Sequence, residues 1–482
     1  MTFWDKNDLR DPNVGPGKTA VLGLQHTFTM FGATILVPII FVINGLPMAA
    51  SVALFMAGAC TLLFHLVTKG GVPLFLGSSF AFIGPVIVAG SQYGFENALG
   101  GIVAAGCIYI IMAVLVYFIG PKKIMGWFPP IVTGSIIIVI GLVLAPIGID
   151  MATAGGAGNG SVEPDLMTMD NILLALMSFS IVVIVSVFFK GFLKVLPVLI
   201  SLIISYGVAV ILTLTGAMPE LINFQNIIDA KWFGLPEFTM ATFHWGAIMI
   251  IAPVAICTMV EHIGDIMAIN SICNKDFLKN PGLHRTLLGD GLASCVSAMF
   301  GGPANTTYSE NTGVLALTKQ FNPNIMRIAA CFAIVLGFVP KLAAVIQSIP
   351  TPIIGGISII LFGMIASVGA RLLVENKVDF HKSRNLIIAA VILVLGIGIG
   401  PTDGIPIKIG TVDFSIFGMA LAAIIGIILN KVLPGADNYR KNMEIVETAE
   451  AAAAEANEAE ANEAEEANEA ENTTEANTEA AE

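Results

Sequence analysis

The sequence predicts a polytopic all-α membrane protein that contains an inverted repeat, and three observations support this fold class. First, 56% of the 482 residues are hydrophobic and only 12% are charged, whereas soluble proteins average about 25% charged residues. Second, apolar runs of about 20 residues, long enough to cross a bilayer as helices, recur throughout 17–433. Third, two short Gly-rich segments occupy matching positions in the two halves of the chain.

The apolar runs, with the Gly, Pro and charged residues that interrupt them, predict fourteen full or partial membrane segments. The segments near 79–92 and 308–320 are too short to cross a hydrocarbon core of about 30 Å as helices. In chain order the segments are 17–43, 46–68, 79–92, 97–119, 126–148, 170–189, 193–216, 243–268, 284–301, 308–320, 324–348, 354–372, 384–401 and 412–433.

Lysine and arginine predict the orientation, because cytoplasmic loops are enriched in both. With fourteen segments and both termini inside, Lys231, Lys341 and Lys408 face the outside, and every other Lys and Arg faces the cytoplasm. We therefore expect a multi-pass protein of the plasma membrane, the inner membrane of a bacterium, with cytoplasmic N- and C-termini.

The ends of the chain are predicted to be cytoplasmic extensions of one membrane domain, 17–433. Residues 1–16 are polar and lack the features of a signal peptide. Residues 434–482 form an acidic low-complexity tail, in which 444–482 contains 14 Glu and no Lys, Arg or Asp. The tail is too polar to bury a core, and it accounts for the net charge of -12. The six Cys show no CxxC spacing, which argues against a disulfide framework or a metal site.

The repeat divides the chain into two sets of seven segments. The third segment of each set begins with similar text, GGVPLFLGSSF at 70–80 and GGPANTTYSE at 301–310. An odd number of segments per set inverts the second copy relative to the first. Paired short segments, interrupted by Gly and Pro at matching positions, indicate a substrate site near the middle of the membrane.

Each short segment is predicted to be a half-helix preceded by an extended stretch. A half-helix that begins inside the membrane leaves its first backbone N–H groups free to donate to a ligand. The extended stretches 72–78 and 303–308 must satisfy their own backbone groups within the protein. We expect them to pair as two short antiparallel strands. Re-entrant loops with a purely structural role are the alternative.

Three acidic residues lie beside these half-helices. Glu261 and Asp265 share one face of an otherwise apolar segment, and Glu310 opens the second half-helix. A carboxylate at the centre of a membrane helix costs about 3 kcal/mol on insertion scales, so partners or a function are expected. The acids and the backbone donors suit a small, flat, neutral ring such as uracil, with one carboxylate ionised and its neighbour able to hold a proton. A structural network of paired acids is the alternative.

Two further polar residues interrupt apolar segments. His26, in the first segment, is compatible with a functional or a structural role. Asp290 favours the structural role of holding the half-helices in place.

The chain resembles the nucleobase-ascorbate transporter family at two motifs. The text Glu-Asn-Thr-Gly-Val-Leu-Ala-Leu-Thr-Lys at 310–319 resembles the family signature (Gln or Glu)-Asn-x-Gly-x-x-x-x-Thr-(Arg, Lys or Gly), and Gln25-His26 resembles the family's first-segment pair. The resemblance runs from about Gly23 to Leu433. Glu at the first signature position is similar to the uracil-carrying branch, whereas purine and xanthine carriers usually have Gln there.

The resemblance implies import of uracil by proton symport, with Glu261 and Glu310 hydrogen-bonded to uracil. The residues implied to complete the substrate site are Phe80 and Ser309, through their backbones, and Ala33, Tyr308 and Phe362 as its lining. The residues expected to handle the coupled proton are Glu310, Asp265, His26 and Glu261, with Asp290 and Asn311 as structural neighbours.

The resemblance also implies the architecture and the partners. Segments 1–4 and 8–11 would form a core domain that moves like an elevator against a gate domain of segments 5–7 and 12–14. The expected partners are uracil, protons, the lipid bilayer and a second copy in a homodimer, and not nucleic acid. The proton is the coupling ion, and no cofactor, metal or catalytic residue is expected.

Two departures from the family pattern keep alternatives open. Asp265 stands where a uracil-carrying member has His and purine carriers have Asp, and Phe362 replaces a Tyr. A symporter of xanthine or another purine is therefore the nearest alternative. An anion transporter of the same fold would need a positive centre between the half-helices. A membrane enzyme would need a metal cluster or a nucleophile and its base, for which His26 with Glu261 is the one candidate.

Overall fold

The computed structural model of the chain describes residues 15–153, 169–219, 221–399, 404–409 and 412–435. The predicted cytoplasmic N-terminus and the acidic tail lie almost entirely outside these residues, and both stay predictions.

Nineteen α-helices occur in the described part of the chain. They are α1 (Pro16–Ile43), α2 (Ala50–Val67), α3 (Ile83–Tyr93), α4 (Phe95–Ile119), α5 (Pro121–Met125), α6 (Pro130–Val143), α7 (Ala145–Thr153), α8 (Met169–Phe188), α9 (Pro197–Leu214), α10 (Gln225–Asp229), α11 (Trp245–Ile251), α12 (Val254–Cys273), α13 (Leu283–Met299), α14 (Ser309–Thr318), α15 (Pro323–Gly337), α16 (Pro340–Gln347), α17 (Thr351–Glu375), α18 (Ser383–Gly398) and α19 (Gly418–Val432).

Most of these helices are apolar and long. Among the described residues, 8 helical stretches are long and apolar enough to cross a membrane, or 9 if the bent pair α15–α16 counts as one span. Shorter apolar helices cover Phe80–Tyr93, Ser383–Gly398 and Gly418–Val432. The chain is therefore a multi-pass membrane protein, whereas the count of fourteen segments and the half-helices stay predictions.

Two three-residue strands pair with each other just before the two short helices, α3 and α14. Strand β1 (Leu76–Ser78) pairs antiparallel with β2 (Asn305–Thr307), as the sequence predicted. Backbone hydrogen bonds extend the pairing beyond both strands, from Ser79 N to Ala304 O at 2.8 Å and from Tyr308 N to Phe75 O at 3.1 Å. The extended chain thereby satisfies its backbone groups although every residue of both strands is buried.

Helix packing follows the symmetry that an inverted repeat requires. Helix α4 packs against α13, and α2 packs against α15. An operation that exchanges the two sets of seven segments turns the first of these contacts into the second. The contacts of α8 with α17 and of α6 with α18 are related in the same way. The division into core and gate domains stays a prediction.

The structure corrects the start of the last predicted segment, 412–433. Val412–Ile416 is a strand, β4, which pairs antiparallel with β3 (Ile405–Ile409), and the helix begins only at Gly418. The text Val-Asp-Phe-Ser-Ile alternates apolar and polar residues with the period of a strand. An average over an apolar window hides this period, so the sequence analysis missed this hairpin.

The predicted segment 324–348 is also not one straight helix. Its two parts, α15 and α16, meet at an angle of 81°. Pro340 is the first residue of α16, and proline has no N–H to continue the helix that precedes it.

Gly106 tests the close contact of α4 with α13. A Cβ atom at Gly106 would lie 2.5 Å from Cys295 Sγ and 2.7 Å from the carbonyl oxygen of Gly291. We expect Gly106→Ala to lower the thermal unfolding midpoint of the purified protein, because overpacking of this kind costs about 1–3 kcal/mol. Gly207→Ala on α9, where no atom lies within 4 Å of the added Cβ, is the matched control. Equal midpoints for the two variants would contradict the packing.

Candidate functional site

Helices α12 and α14 bring three carboxylates together. Glu261 and Asp265 lie one turn apart on α12, and Glu310 is the second residue of α14. The charge of Glu261 interacts with those of Asp265, Glu310 and Asp290. Glu261 and Glu310 are half-buried, whereas Asp265 is buried. The first two carboxylates therefore remain accessible to a ligand.

Asp265 is held by hydroxyl groups of the strand–helix junction. Its Oδ2 accepts a hydrogen bond from Thr307 Oγ1, and its Oδ1 accepts one from Ser309 Oγ at 3.1 Å. These two residues are the last of β2 and the first of α14. Asp265 thus ties α12 to the start of α14.

The N-terminus of α14 supplies backbone donors beside the acids. The first intrahelical bond runs from Thr312 N to Tyr308 O at 3.2 Å, so the N–H groups of Ser309, Glu310 and Asn311 precede the helical ladder. Helix α3 is preceded by a 3₁₀ turn at Phe80–Phe82, which only Ser79 separates from β1. Because three-residue strands are roughly 10 Å long, the paired strands hold the starts of both helices close together.

Tyr308 locks the two repeats to each other. Its hydroxyl donates to the carbonyl oxygen of Ser78 at 3.3 Å and accepts from Thr34 Oγ1 at 3.2 Å. Ser78 Oγ in turn donates to Thr34 O at 3.1 Å. A Cβ at Gly77 would lie 2.2 Å from Cζ of Tyr308, so only glycine leaves room for this ring. Tyr308 is buried, and the hydrogen bonds of its hydroxyl stabilise the strand pair.

The predicted aromatic lining brings α17 next to the start of the short helix α3. The rings of Phe80 and Phe362 meet edge to face with centroids 5.9 Å apart. Both side chains are buried, and so is Ala33 on α1. Phe362 therefore connects α17 to the site that α3, α12 and α14 assemble.

His26 and Asn311, predicted separately, form one buried contact between α1 and α14. Asn311 Nδ2 lies 3.3 Å from His26 Nδ1 and donates to the backbone oxygen of His26 at 3.2 Å. This pair anchors the turn of α14 that carries Glu310.

Asp290 lies behind the carboxylate cluster, in a contact that the sequence analysis missed. Its Oδ2 lies 3.0 Å from Nδ1 of His262, and both side chains are fully buried. His262 follows Glu261 directly on α12. The signal was a histidine next to an intramembrane glutamate, but nothing in the text indicated that Asp290 on α13 would face it.

Thr34, Ser78 and Thr307 were also missed as parts of the site. Hydroxyl residues are common in membrane helices and usually bond to the preceding turn, so their text gives no distinctive signal. Only the antiparallel strand pair brings Thr307 to Asp265 and Ser78 to Tyr308.

The arrangement offers acceptors and donors to one neutral ligand. Ionised carboxylates of Glu261 and Glu310 accept hydrogen bonds from N–H groups, and the starts of α3 and α14 donate to carbonyl oxygens. A carboxylate that titrates also provides a place for a proton.

Removing the Asp265 carboxylate tests its hydroxyl contacts. We expect Asp265→Ala to destabilise the protein by about 1–3 kcal/mol, since two hydroxyls lose their acceptor, and to lower the thermal midpoint. The loss in the double variant with Thr307→Val is expected to be smaller than the sum of the single losses. Ser271→Ala, at an exposed position of the same helix, serves as control. Additive losses would show that Asp265 and Thr307 act independently.

Comparison with known proteins shows the family of the chain. A model of a permease family (Xan_ur_permease) matches residues 17–402. The chain is 42% identical over 443 residues to the uracil permease of Bacillus caldolyticus, covering 90% of this chain and 96% of that protein. It is 43% identical over 421 residues to a probable uracil permease of Haemophilus influenzae, covering 87% and 95%.

Among solved structures, the transmembrane domain of the cyanobacterial bicarbonate transporter BicA is similar in fold. It superposes with a TM-score of 0.57 at 16% identity, over 84% of this chain and 96% of that chain. At this identity the likeness concerns the fold alone. The alignments with the two sequence relatives extend over nearly the whole length of those proteins. The chain therefore belongs to the permease family of nucleobase transporters whose signature its residues 310–319 predicted.

Proposed function

We propose that the protein imports uracil across the bacterial inner membrane by proton symport. The observation that carries the proposal is Glu310 in the first turn of α14, beside backbone donors and near the charge of Glu261. The ring N–H groups of uracil suit the two carboxylates, and its carbonyl oxygens suit the donors. The relatives named as uracil permeases support the same substrate.

In this proposal the ligand lies between the starts of α3 and α14. Glu261 and Glu310 bind the ring edge, and the backbones of Phe80 and Ser309 bind carbonyl oxygens. Tyr308 and Ala33 shape the protein wall, with Phe362 of α17 opposite Phe80. The Phe80–Phe362 contact supports this role, because it makes α17 part of the enclosure.

A symporter of xanthine or another purine remains the second candidate, and Asp265 is the observation that favours it. Against it, both oxygens of Asp265 accept hydroxyl bonds from Thr307 and Ser309, so this carboxylate is engaged within the protein. An anion transporter is less compatible with three acids at the site.

Coupling to protons would use the same groups. We propose that Glu310, Asp265, His26 and Glu261 take part in handling the coupled proton, with no cofactor. Uracil binding requires an ionised acceptor, so proton and substrate binding are linked. We further propose cytoplasmic termini, a core of segments 1–4 and 8–11 that moves against the gate, and a homodimer.

Uptake into proteoliposomes tests the function directly. Under an inward proton gradient, we expect radiolabelled uracil to accumulate inside the vesicles, to leave on addition of an uncoupler, and to be insensitive to excess unlabelled xanthine. Empty liposomes are the control. Xanthine-sensitive uptake would move the substrate to the purines, and uptake that ignores the uncoupler would remove the proton from the mechanism.

The role of Glu310 predicts a loss of affinity on Glu310→Gln. A hydrogen bond to a charged group contributes about 1.5–3 kcal/mol, so uracil binding at equilibrium should weaken by about 10- to 150-fold. Glu375→Gln, at an exposed position of α17, is the matched control and should bind like the unmodified protein. A purine carrier would tolerate the change at Glu310, and that result would contradict the assignment.

A further inference from the structure

The contact between His262 and Asp290 forms a second polar centre behind the carboxylate cluster, which we call the α12–α13 pair. Nδ1 of His262 lies 3.0 Å from Oδ2 of Asp290, and neither side chain is exposed. Within the described residues, both ring nitrogens of His262 and both carboxylate oxygens of Asp290 are buried and have no hydrogen-bond partner of regular geometry. No hydrogen bond therefore fixes which ring nitrogen of His262 carries a proton.

The surroundings of the pair contain acids and no base. On α12 it faces Glu261 and Asp265, whose charges interact with Asp290 and His262 respectively. From α4 the ring of Tyr109 meets that of His262 edge-on with centroids 6.4 Å apart. From α2 comes the thiol of Cys60, which lies near Asp290. Helices α2, α4, α12 and α14 contain no Lys or Arg, and the basic residues of α13, His284 and Arg285, lie more than one turn before Asp290.

Charge decides what the pair does when its protonation changes. With a neutral imidazole and an ionised Asp290, the pair carries one negative charge. A proton bound at Nε2 of His262 makes it an imidazolium–carboxylate pair with no net charge. A buried charge is costly unless it is paired. The imidazolium–carboxylate pair, which has no net charge, therefore favours an ionised Glu261 next to it on α12, because it does not repel that carboxylate.

We propose that the α12–α13 pair is a proton-binding centre of the transport cycle, distinct from the carboxylates that touch the substrate. The inference rests on the proposed uracil symport. A new N–H bond forms at His262 Nε2 with a proton from the outside water, and it breaks when the proton leaves to the inside. Proton uptake stabilises the ionised Glu261 that accepts the uracil N–H. Binding of the proton therefore favours binding of uracil, and binding of uracil favours binding of the proton.

The variant His262→Asn tests the proposal. An Asn side chain keeps an amide near the Nδ1 position, next to Asp290, but it cannot take up a proton. In proteoliposomes, a gradient of one pH unit supports about tenfold accumulation for a coupling of one proton. We expect this accumulation to be lost, while exchange of labelled for unlabelled uracil, which moves no net proton, changes less than about threefold. His381→Asn, at an exposed position, is the matched control.

Full gradient-driven accumulation by His262→Asn, with the pH dependence of the unmodified protein, would overturn the proposal. Parallel loss of exchange and accumulation would also overturn it, because a positioning role alone produces that result. Measurements on the unmodified protein distinguish failure of this inference from failure of the proposed function. If it exchanges no uracil, the proposed function fails, and if it exchanges uracil without proton-driven accumulation, symport fails.

A measurement on the unmodified protein does not depend on how the variant folds. Protein labelled with ¹⁵N in its histidines is expected to show an imidazolium signal at His262 that grows on addition of uracil. Its absence from the His262→Asn spectrum assigns the signal. A His262 ring that stays neutral with and without uracil would overturn the proposal.

Discussion

Pairing of extended backbone inside the protein is the constraint on which the site depends. Chain that is neither helix nor closed barrel is tolerated at membrane depth only where the protein itself satisfies its N–H and C=O groups. Strands β1 and β2 do this for each other, and the two short helices begin at opposite ends of this short strand pair. The backbone groups of the strand residues bond to each other. The first N–H groups of the two short helices are thus left as donors for a ligand.

The contacts around the strands explain why acids can remain in this place. Asp265 is satisfied by Thr307 and Ser309, and Asp290 lies against His262. Glu261 and Glu310 keep accessible surface. Two of the four carboxylates are therefore in contact with groups of the protein, and two remain accessible to a ligand. These contacts join α12 both to α13 and to the start of α14.

The sequence predicted those parts of the molecule that have a local period or a distinctive composition. Apolar length located most of the helices, and the repeated Gly-rich text predicted the strand pair. Glu261, Asp265 and Glu310 were recognisable because ionised groups are rare in apolar segments. The partner of each acid depends on tertiary packing, so Thr307 and His262 were missed. The hairpin of β3 and β4 was missed because averaging over an apolar window removes a period of two.

The strand pair also governs when the protein can finish folding during its synthesis. Ser78 and Tyr308, which meet across the repeats, are 230 residues apart in the chain. At ribosomal rates of about 5–20 residues per second, roughly 10–50 s pass between the two. During that interval the first short helix is in the membrane with an unpaired strand before it. The unpaired backbone N–H and C=O groups of β1 must therefore be kept away from lipid until the second repeat has been synthesised.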